Sequence, residues 1–275
     1  MPEGPEIRLA ADEVANALVP RRTTRVEFAF PQLHRFESQL QGRCVTEVAT
    51  RGKAILTHFD NDLVIYSHNQ LYGRWYIAKK GLYPDTGRQL RLAIHNDHYS
   101  ALLYSASAIE VWQKSELKRH PFLARLGPDL LSEGADVETI VERLDSTRFR
   151  QRQLAGLLLD QGFLAGLGNY LRAEILTRAG LHPSLKPAHC DAQQLHKLAR
   201  EIIGLTQRAY RTRGIINPPQ LVARLKQEGL IEREQHRFNS YGRAGESCHF
   251  CGTVIECSNA GGRKMYFCPG CQPAR

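Results

Sequence analysis

The sequence predicts an α+β multidomain protein, in which an N-terminal antiparallel β-sandwich with a leading helix is followed by a helical part and a cysteine-rich hairpin. Three observations support this. Short apolar runs fill residues 23–112, longer helical patterns follow the two-proline stretch 118–130, and five of the seven cysteines lie in the last 28 residues. A chain of 275 residues is long enough for about two domains with ordinary cores. We therefore expect domains at residues 1–124, 125–247 and 248–275.

The first domain begins with a helix over residues 5–19, because Pro5 suits the first helical position and apolar residues follow at helical spacing. Short alternating runs, separated by Gly, Asn and Asp, then predict the strands of the sandwich. These strands are Val26–Phe30, Cys44–Thr50, Ala54–Phe59, Leu63–Ser67, Trp75–Ala78, Leu90–Ile94 and Ala101–Ser105.

The second domain is predicted to be helical, with helices over residues 136–144, 148–160, 169–179 and 191–211. The segment 214–245 is polar and contains the run Asn217-Pro218-Pro219, so we expect it to be irregular and mobile.

The net charge is +9, from 37 basic and 28 acidic residues. This surplus favours an anionic partner, nucleic acid before a membrane surface, although it also suits plain solubility.

No run of about 18 apolar residues is present, which argues against a transmembrane helix. The acidic N-terminus lacks the apolar centre of a secretion signal. We expect a cytoplasmic protein that does not bind membranes and whose thiols stay reduced.

Four cysteines form two C-x-x-C pairs, Cys248 with Cys251 and Cys268 with Cys271, and 16 residues separate the pairs. Two such pairs place four thiolates around one tetrahedral ion, and Zn²⁺ suits that ligand set. Because the protein fills all four positions, the predicted zinc is structural. The alternative is a redox dithiol, which usually has a single pair beside a βαβ unit.

The chain between these pairs predicts a hairpin, with strands at Thr253–Glu256 and Lys264–Phe267 and a turn at Ser258–Gly262. His249 is expected to be a bystander. The three remaining cysteines are expected to be free thiols, namely Cys44, Cys190 and Cys257.

A connection containing Gly162, Gly166 and Gly168 joins two predicted helices. Asn169 is a good N-cap for the second helix, and glycines let backbone N–H groups approach an anion closely. A Rossmann fingerprint is the rival, but its third glycine is missing and a helix precedes the loop. An ordinary helix–turn–helix core fits too, yet two rows of arginines flank the helix start and favour a DNA backbone. These rows are Arg148, Arg150 and Arg152, and Arg208, Arg211 and Arg213.

The N-terminus offers a nucleophile, because a small second residue such as Pro2 permits removal of Met1 and so exposes a prolyl amine. An α-amine has a pKa of about 7.8, against about 10.4 for lysine, and a helix N-terminus lowers it further. Such an amine can attack a sugar aldehyde carbon and form an iminium, with Glu3 and Glu6 as acid/base candidates. A plain helix start is the alternative.

Four motifs now occur in one order along the chain: Pro2-Glu3-Gly4-Pro5-Glu6, Arg51-Gly52-Lys53-Ala54, Gly166-Leu167-Gly168-Asn169-Tyr170 and the terminal Cys₄ hairpin. Together they resemble the formamidopyrimidine-DNA glycosylase/endonuclease VIII family of bifunctional base-excision repair enzymes. The resemblance runs from residue 2 to residue 271 and is nearest to the bacterial endonuclease VIII branch. Gly4 replaces the Leu that is usual in the purine-directed branch, and the run Tyr66–Gly73 resembles the endonuclease VIII intercalation loop.

The resemblance implies a role for each matching residue in the reaction. Pro2 would be the Schiff-base nucleophile, Glu3 the general acid/base, and Glu6 would bind and stabilise the reacting sugar. Lys53, on a turn between strands, would contact the phosphate beside the lesion and assist proton transfer.

The resemblance also implies a DNA interface in a helix-two-turn-helix domain with a zinc hairpin. Gln70, Leu71 and Tyr72 would fill the gap left when the damaged nucleotide flips out. Without that role they would be an ordinary hairpin with two core residues. Asn169 and Arg263 would hold phosphates, although Arg263 is otherwise only a solvated turn residue.

The implied function is a DNA glycosylase with AP lyase activity, which removes oxidised pyrimidines from double-stranded DNA and cuts the strand by β,δ-elimination. We expect a monomer with one structural zinc, in which Arg172 and Glu174 support the site. Residues 214–236 look longer and richer in Gln and Arg than is usual for endonuclease VIII. The same chemistry on oxidised purines is therefore one alternative, and a zinc-stabilised DNA-binding protein without catalysis is the other.

Overall fold

The computed structural model describes residues 2–132 and 135–274. Contacts divide the chain into two compact units, Met1–Arg125 and Leu126–Arg275. The first unit is mostly β-strand, and the second is mostly helical and ends in the cysteine-rich hairpin.

The first unit is an antiparallel β-sandwich with a leading helix, as predicted. Its sheets have the strand orders β1-β3-β4-β5-β9 and β2-β7-β8-β6. The elements are α1 (Gly4–Leu18), β1 (Arg21–Arg22), β2 (Arg25–Phe28), α2 (Glu37–Leu40), β3 (Cys44–Arg51), β4 (Ala54–Phe59), β5 (Leu63–His68), β6 (Arg74–Lys79), β7 (Leu90–His95), β8 (Tyr99–Tyr104) and β9 (Ala108–Gln113).

One apolar core joins α1 to the facing sides of both sheets. The helix contributes Ile7, Ala11, Val14 and Leu18, which recur at the spacing of one helical face and are almost fully buried. Burial of this face fixes where α1 begins, and with it the position of the residues just ahead of the helix. The short strand β1 and the strand β9 were missed by the sequence analysis.

The second unit is helical, and it ends in a two-stranded antiparallel sheet. Its core joins α3, α5 and α6 with Met265 and Phe267 from the terminal hairpin. The elements are α3 (Val137–Asp145), α4 (Leu154–Leu157), α5 (Asn169–Ala179), α6 (Ala192–Arg211), α7 (Pro219–Gln227), α8 (Arg233–Arg237), β10 (Glu256–Ala260) and β11 (Arg263–Phe267).

The predicted helix over residues 148–160 is wrong, because only the single turn α4 is α-helical there. The backbone of Gln153 is extended, and the N–H groups of the next two residues donate to a distant segment instead of to their own helical turn. The N–H of Leu154 donates to Leu185 O at 2.8 Å, and that of Ala155 donates to Pro183 O at 3.0 Å. Tertiary hydrogen bonds therefore replace the helical ones.

The segment 214–245 is not irregular, since it contains α7 and α8. Pro219 occupies the first turn of α7, where a missing N–H costs nothing, and Leu221 and Leu225 bury one face. The segment closes on itself through Asn217 Nδ2, which donates to His236 O at 3.1 Å. The mobility we expect for this segment stays a prediction.

Candidate functional site

Three of the predicted catalytic residues meet at the start of α1. Glu3 is the N-cap residue, and its backbone N–H donates to Glu6 Oε2 at 3.0 Å. The side chain of Glu3 is almost fully buried, at 3% exposure, while Pro2 is half-buried. The partial positive charge of a helix N-terminus favours carboxylates at this position. The arrangement therefore places two carboxylates within a few residues of the backbone nitrogen of Pro2.

Lys53 lies on the turn between β3 and β4, where the sequence analysis predicted it. It is 9% exposed, which is unusual for a lysine. Beside it, Ala54 is paired with His68 across the sheet, so the turn lies next to the end of β5. The structure thus brings Lys53 to the start of the loop that carries Gln70, Leu71 and Tyr72.

The loop between β5 and β6 presents two large side chains to solvent, with Leu71 50% and Tyr72 67% exposed. Gln70 has a positive φ of 50°, and its side-chain oxygen accepts a short hydrogen bond from the Ser107 hydroxyl. Gly73 N donates to Asn69 O at 2.7 Å. A Cβ atom at Gly73 would lie 2.5 Å from that same oxygen, so the loop closes only with glycine there. Leu71 and Tyr72 therefore lie exposed on a tightly closed turn, residues 69–73, which we call the wedge loop, and the alternative of two core residues is wrong.

His68 connects the wedge loop to the Lys53 turn. Its Nδ1 accepts the N–H of Gln70 at 3.0 Å, which places the ring proton on Nε2. Burial, with a smaller contribution from the charge of Lys53, lowers the pKa of His68 to about 4. The ring is therefore neutral at ordinary pH and can keep this hydrogen bond. Phe122 packs edge-on against it, with the ring centroids 5.3 Å apart.

In the second unit, Asn169 is the first residue of α5, and Gly168 is its N-cap. The prediction of Asn169 as N-cap is therefore wrong. Its side chain faces the terminal hairpin instead, where Nδ2 donates to Lys264 O at 3.0 Å and Oδ1 accepts from Arg172 Nη2 at 2.6 Å. The hairpin contact takes the capping group away from the backbone of its own helix.

The glycine-rich connection does not present all its N–H groups to a ligand. Gly166 N donates to Gln161 Oε1 at 3.1 Å, and Gly162 N donates to Asp160 Oδ1 at 2.8 Å. Neighbouring side chains thus use two of the N–H groups that the sequence analysis assigned to an anion.

The arginine rows are also partly engaged inside the second unit. Arg152 pairs with Asp160 at 2.5 Å, and Arg208 Nη1 donates to Ile216 O at 3.1 Å. Burial, together with the charge of Arg178, lowers the pKa of Arg208. These contacts limit how freely the two side chains can follow a phosphate backbone.

The four cysteines meet at one point. Sγ of Cys248 lies 3.9 Å from that of Cys271, Cys251 lies 3.3 Å from Cys268 and 3.4 Å from Cys271, and all four lie within 4.8 Å of one another. A tetrahedral site with Zn–S bonds of about 2.3 Å has sulfur–sulfur separations of about 3.8 Å. The donor set and its spacing therefore fit a single zinc ion.

The electrostatics of the cluster fit a cation as well. Hydrogen bonding with Thr253 lowers the pKa of the Cys251 thiol to about 6, whereas burial raises the pKa of Cys268 and Cys271. A central cation would offset that burial and hold all four sulfurs as thiolates. His249 is not part of the cluster, in line with its expected role as a bystander.

The hairpin above the cysteines turns at Gly261 and Gly262, both with positive φ, so that Ala260 pairs with Arg263. Two positive φ values define a type I′ two-residue turn, and β10 starts at Glu256 instead of the predicted Thr253. Arg263 is exposed directly after this turn. Its exposed side chain can therefore reach a ligand beyond the end of the hairpin.

Arg172 holds the hairpin against the helices. Its guanidinium is fully buried and donates to Ala155 O at 2.8 Å, Ala260 O at 2.9 Å and Lys264 O at 3.2 Å. The sequence predicts only a general supporting role for this residue. No sequence pattern indicates individual roles for His68, Ser107 or Asn239.

Comparison with known proteins identifies the family. Residues 1–106 match the model of the formamidopyrimidine-DNA glycosylase N-terminal domain, and residues 126–218 match that of the formamidopyrimidine-DNA glycosylase H2TH domain. Two proteins named Endonuclease 8, from Shigella sonnei and Escherichia coli O9:H4, are each 49% identical over 272 residues, which is 99% of this chain and 100% of theirs.

The fold is shared with solved structures of formamidopyrimidine-DNA glycosylase from Lactococcus lactis. One is bound non-covalently to DNA containing an AP site, and another is in complex with DNA containing an oxidised pyrimidine. Both have a TM-score of 0.80 at 22% identity and cover 99% of this chain and 100% of their own. Within the described residues, no helix is both long and apolar enough to span a membrane.

Proposed function

The chain belongs to the formamidopyrimidine-DNA glycosylase family, and we propose that it excises oxidised pyrimidines from DNA with Pro2 as its nucleophile. It is a base-excision repair enzyme, a DNA glycosylase with AP lyase activity. One observation carries the proposed lesion class, namely the 49% identity to Endonuclease 8 proteins over almost the whole chain. Double-stranded DNA with an oxidised base or an abasic site is the proposed partner.

The first chemical step uses the residues at the start of α1. Once Met1 is removed, the Pro2 nitrogen attacks C1′ of the damaged nucleotide, the glycosidic bond breaks, and the base leaves with a proton. Glu3 is the acid/base group, because its carboxylate is buried one residue from the nucleophile. Glu6 lies beside it and stabilises the reacting sugar.

The C1′–O4′ bond then breaks and O4′ takes up a proton, which opens the sugar ring and gives an iminium between Pro2 and C1′. This iminium draws electrons from the C2′–H bond. Loss of the C2′ proton expels the 3′ phosphate, and loss of the C4′ proton in a second elimination expels the 5′ phosphate, so the strand is cut on both sides of the sugar. Lys53, held on the β3–β4 turn, contacts the phosphate beside the lesion and assists proton transfer. Gln70, Leu71 and Tyr72 fill the space of the flipped nucleotide.

In the second unit, we assign one structural zinc to Cys248, Cys251, Cys268 and Cys271, whose sulfur positions suit a tetrahedral ion. The metal would fix the hairpin and take no part in bond breaking. Asn169 and Arg263 are the proposed phosphate contacts.

Residues 1–124, 125–247 and 248–275 would then be the catalytic, helical DNA-binding and zinc-hairpin parts. We place the protein in the bacterial cytoplasm, on nucleoid DNA, as a monomer.

Borohydride trapping tests the nucleophile. Reduction of the iminium should give a stable covalent adduct between abasic DNA and the Met1-free protein, with mass analysis locating it on Pro2. The matched control is the same chain extended by a few residues ahead of Pro2, which keeps the fold but ties up the amine in a peptide bond. No adduct from the Met1-free protein, or equal adduct from the extended chain, would overturn the assignment.

A paired cleavage assay tests the lesion class. We expect faster single-turnover excision from a thymine-glycol duplex than from an 8-oxoguanine duplex of the same flanking sequence. The reverse order would assign the chain to oxidised purines. Binding to both duplexes without cleavage of either would make it a non-catalytic DNA-binding protein.

A further inference from the structure

Two polar residues on α5 are buried beside the four-cysteine cluster, and the proposed reaction uses neither. Glu174 is fully buried and Thr177 is 4% exposed. They are three residues apart and so lie on one face of the helix. A buried carboxylate is costly unless several donors satisfy it, so its partners show what it holds in place.

Glu174 holds the chain that leads into the first cysteine pair. Its carboxylate accepts the backbone N–H groups of Asn239 at 3.0 Å, Ser240 at 2.8 Å and Tyr241 at 2.8 Å. The Ser240 hydroxyl also donates to it at 3.1 Å. Four donors converge on one side chain, which fixes residues 239–241 against α5.

The side chain of Asn239, held in this way, lies against Cys248. Its Nδ2 is 3.5 Å from Cys248 Sγ, and its Oδ1 accepts the N–H of His249 at 3.1 Å. Asn239 is fully buried. Once a metal has displaced the thiol proton, the amide N–H can still donate to the sulfur, and the same amide orientation satisfies the backbone of the cysteine pair.

The second cysteine pair has a corresponding support in Gln272, which is also fully buried. Its Oε1 accepts the N–H of Cys268 at 3.0 Å, and its Nε2 donates to Leu181 O at 2.9 Å. Thr177 Oγ1 lies 2.9 Å from Gln272 Oε1 and 2.9 Å from Ser240 Oγ, so the two supports join on α5.

We propose that Asn239 and Gln272 are positioning residues of the four-cysteine site, held on one face of α5, and that retention of the metal depends on them. This inference rests on the proposed zinc. Replacing a residue that orients a metal ligand typically lowers the metal affinity about tenfold to hundredfold. Because α5 begins at Asn169, which contacts β11, the same helix joins the metal site to a proposed phosphate contact.

The test is the rate at which the zinc-loaded, full-length protein gives up its metal to a chromophoric chelator. Asn239→Ala and Gln272→Leu should release zinc about tenfold or more faster than the parent. Asn239→Asp keeps the acceptor for His249 N–H but turns a carboxylate oxygen toward the thiolate, so we expect release at least as fast. Gln227→Ala, an exposed position on α7, is the matched control and should match the parent.

A spectroscopic measurement separates positioning from folding. Each variant is loaded with Co²⁺, and we expect a shifted thiolate-to-cobalt charge-transfer band in the Asn239 variants, with native far-UV circular dichroism. Asn239→Asp covers the case in which Asn239→Ala does not fold, because it preserves size and the His249 contact.

The outcomes distinguish this inference from the proposed function. A parent protein purified under reducing conditions that holds no zinc and takes up none would remove the metal assignment, and the inference with it. A zinc-containing parent whose Asn239 and Gln272 variants release metal at the parent rate would overturn the inference alone.

Discussion

The start of α1 and the four-cysteine cluster both hold reactive groups in place, but they do so over very different distances along the chain. At the helix start, Glu3 and Glu6 are three residues apart and form a capping box. At the cluster, Glu174 supports Asn239 and Thr177 supports Gln272, partners separated by 65 and 95 residues. The first arrangement is local, and the second exists only once the second unit has folded.

The helix start and the cysteine cluster therefore depend on different interactions to keep their geometry. The helix start is organised by its own sequence, so Pro2, the proposed nucleophile, and the two nearby carboxylates keep their geometry as long as α1 is packed. At the cysteine cluster, crowded thiolates are costly without the proposed cation, and buried polar groups are costly unless they are paired. Three perturbations, in falling order of expected effect, test this contrast.

Removal of the metal should have the largest effect, and it should be confined to the second unit. Metal binding stabilises the folded state, so its loss lowers the free energy of unfolding. A loss of about 4 kcal/mol should lower the unfolding temperature by about 10 °C. DNA affinity should fall about tenfold to hundredfold through loss of the Arg263 contact, as is usual for hydrogen bonds to charged groups. Elemental analysis confirms the removal, and far-UV circular dichroism follows the helices.

Both tryptophans, Trp75 and Trp112, lie in the first unit, so their fluorescence provides an internal control. The tryptophan transition should stay where it was while the helical signal shifts. Unchanged DNA binding after verified chelation would remove the role given to the hairpin. A tryptophan transition that falls together with the helical one would show that the two regions are not independent.

Gly73→Ala should have the next largest effect, and it should be confined to the wedge loop. The added Cβ would lie 2.5 Å from Asn69 O, so the loop must open at a cost of about 1–3 kcal/mol. We expect lesion excision to slow by about tenfold or more, with metal retention unchanged. Single-turnover excision and zinc release measure the two effects separately.

Gly87→Ala is the matched control, because a Cβ there would meet nothing within 4 Å. It should excise lesions at the parent rate. If Gly73→Ala were equally active, the closed turn would not be needed for the wedge residues to act.

Local patterns in the sequence predicted the first region well and the second only in outline. The bounds of α1 differ by one residue from the prediction, and Lys53 lies on the predicted turn. The four-cysteine cluster was also evident from the spacing of its residues. Asn239 and Gln272 were not, since no local pattern marks a residue whose partner lies far along the chain.

The errors have the same physical origin. Asn169 has the properties of an N-cap, but its side chain bonds to the hairpin. Leu154 belongs to a helical pattern, but its N–H bonds to Leu185 O. The Pro218-Pro219 pair was treated as a helix breaker, although proline also suits a helix start. For Asn169 and Leu154, tertiary hydrogen bonds replaced the local structure that the sequence favours. For Pro218-Pro219, the same pattern is compatible with both a helix break and a helix start.

The smallest expected effect concerns pH and the first unit alone. Burial, and then the charge of Lys53, lowers the pKa of His68 to about 4, below its ordinary value of 6.5. Between these values the unfolded chain binds a proton at His68 that the folded chain does not, so stability falls as the pH falls through this window. Because glutamine cannot bind this proton, His68→Gln should reduce the slope of stability against pH by the equivalent of up to about one bound proton. Denaturant unfolding followed by tryptophan fluorescence measures it.

His98→Gln is the matched control, since it makes the same exchange at an exposed histidine of the same unit. It should leave the pH dependence as it is in the parent. His58, whose pKa burial also lowers, keeps part of the slope in every variant, so His68→Gln should reduce the dependence without abolishing it. A slope identical to that of the parent would mean that His68 takes up its proton in the folded state. The Gln70 N–H would then lose its acceptor on Nδ1, and the wedge loop would have to be held by Ser107 and the Asn69–Gly73 hydrogen bond alone.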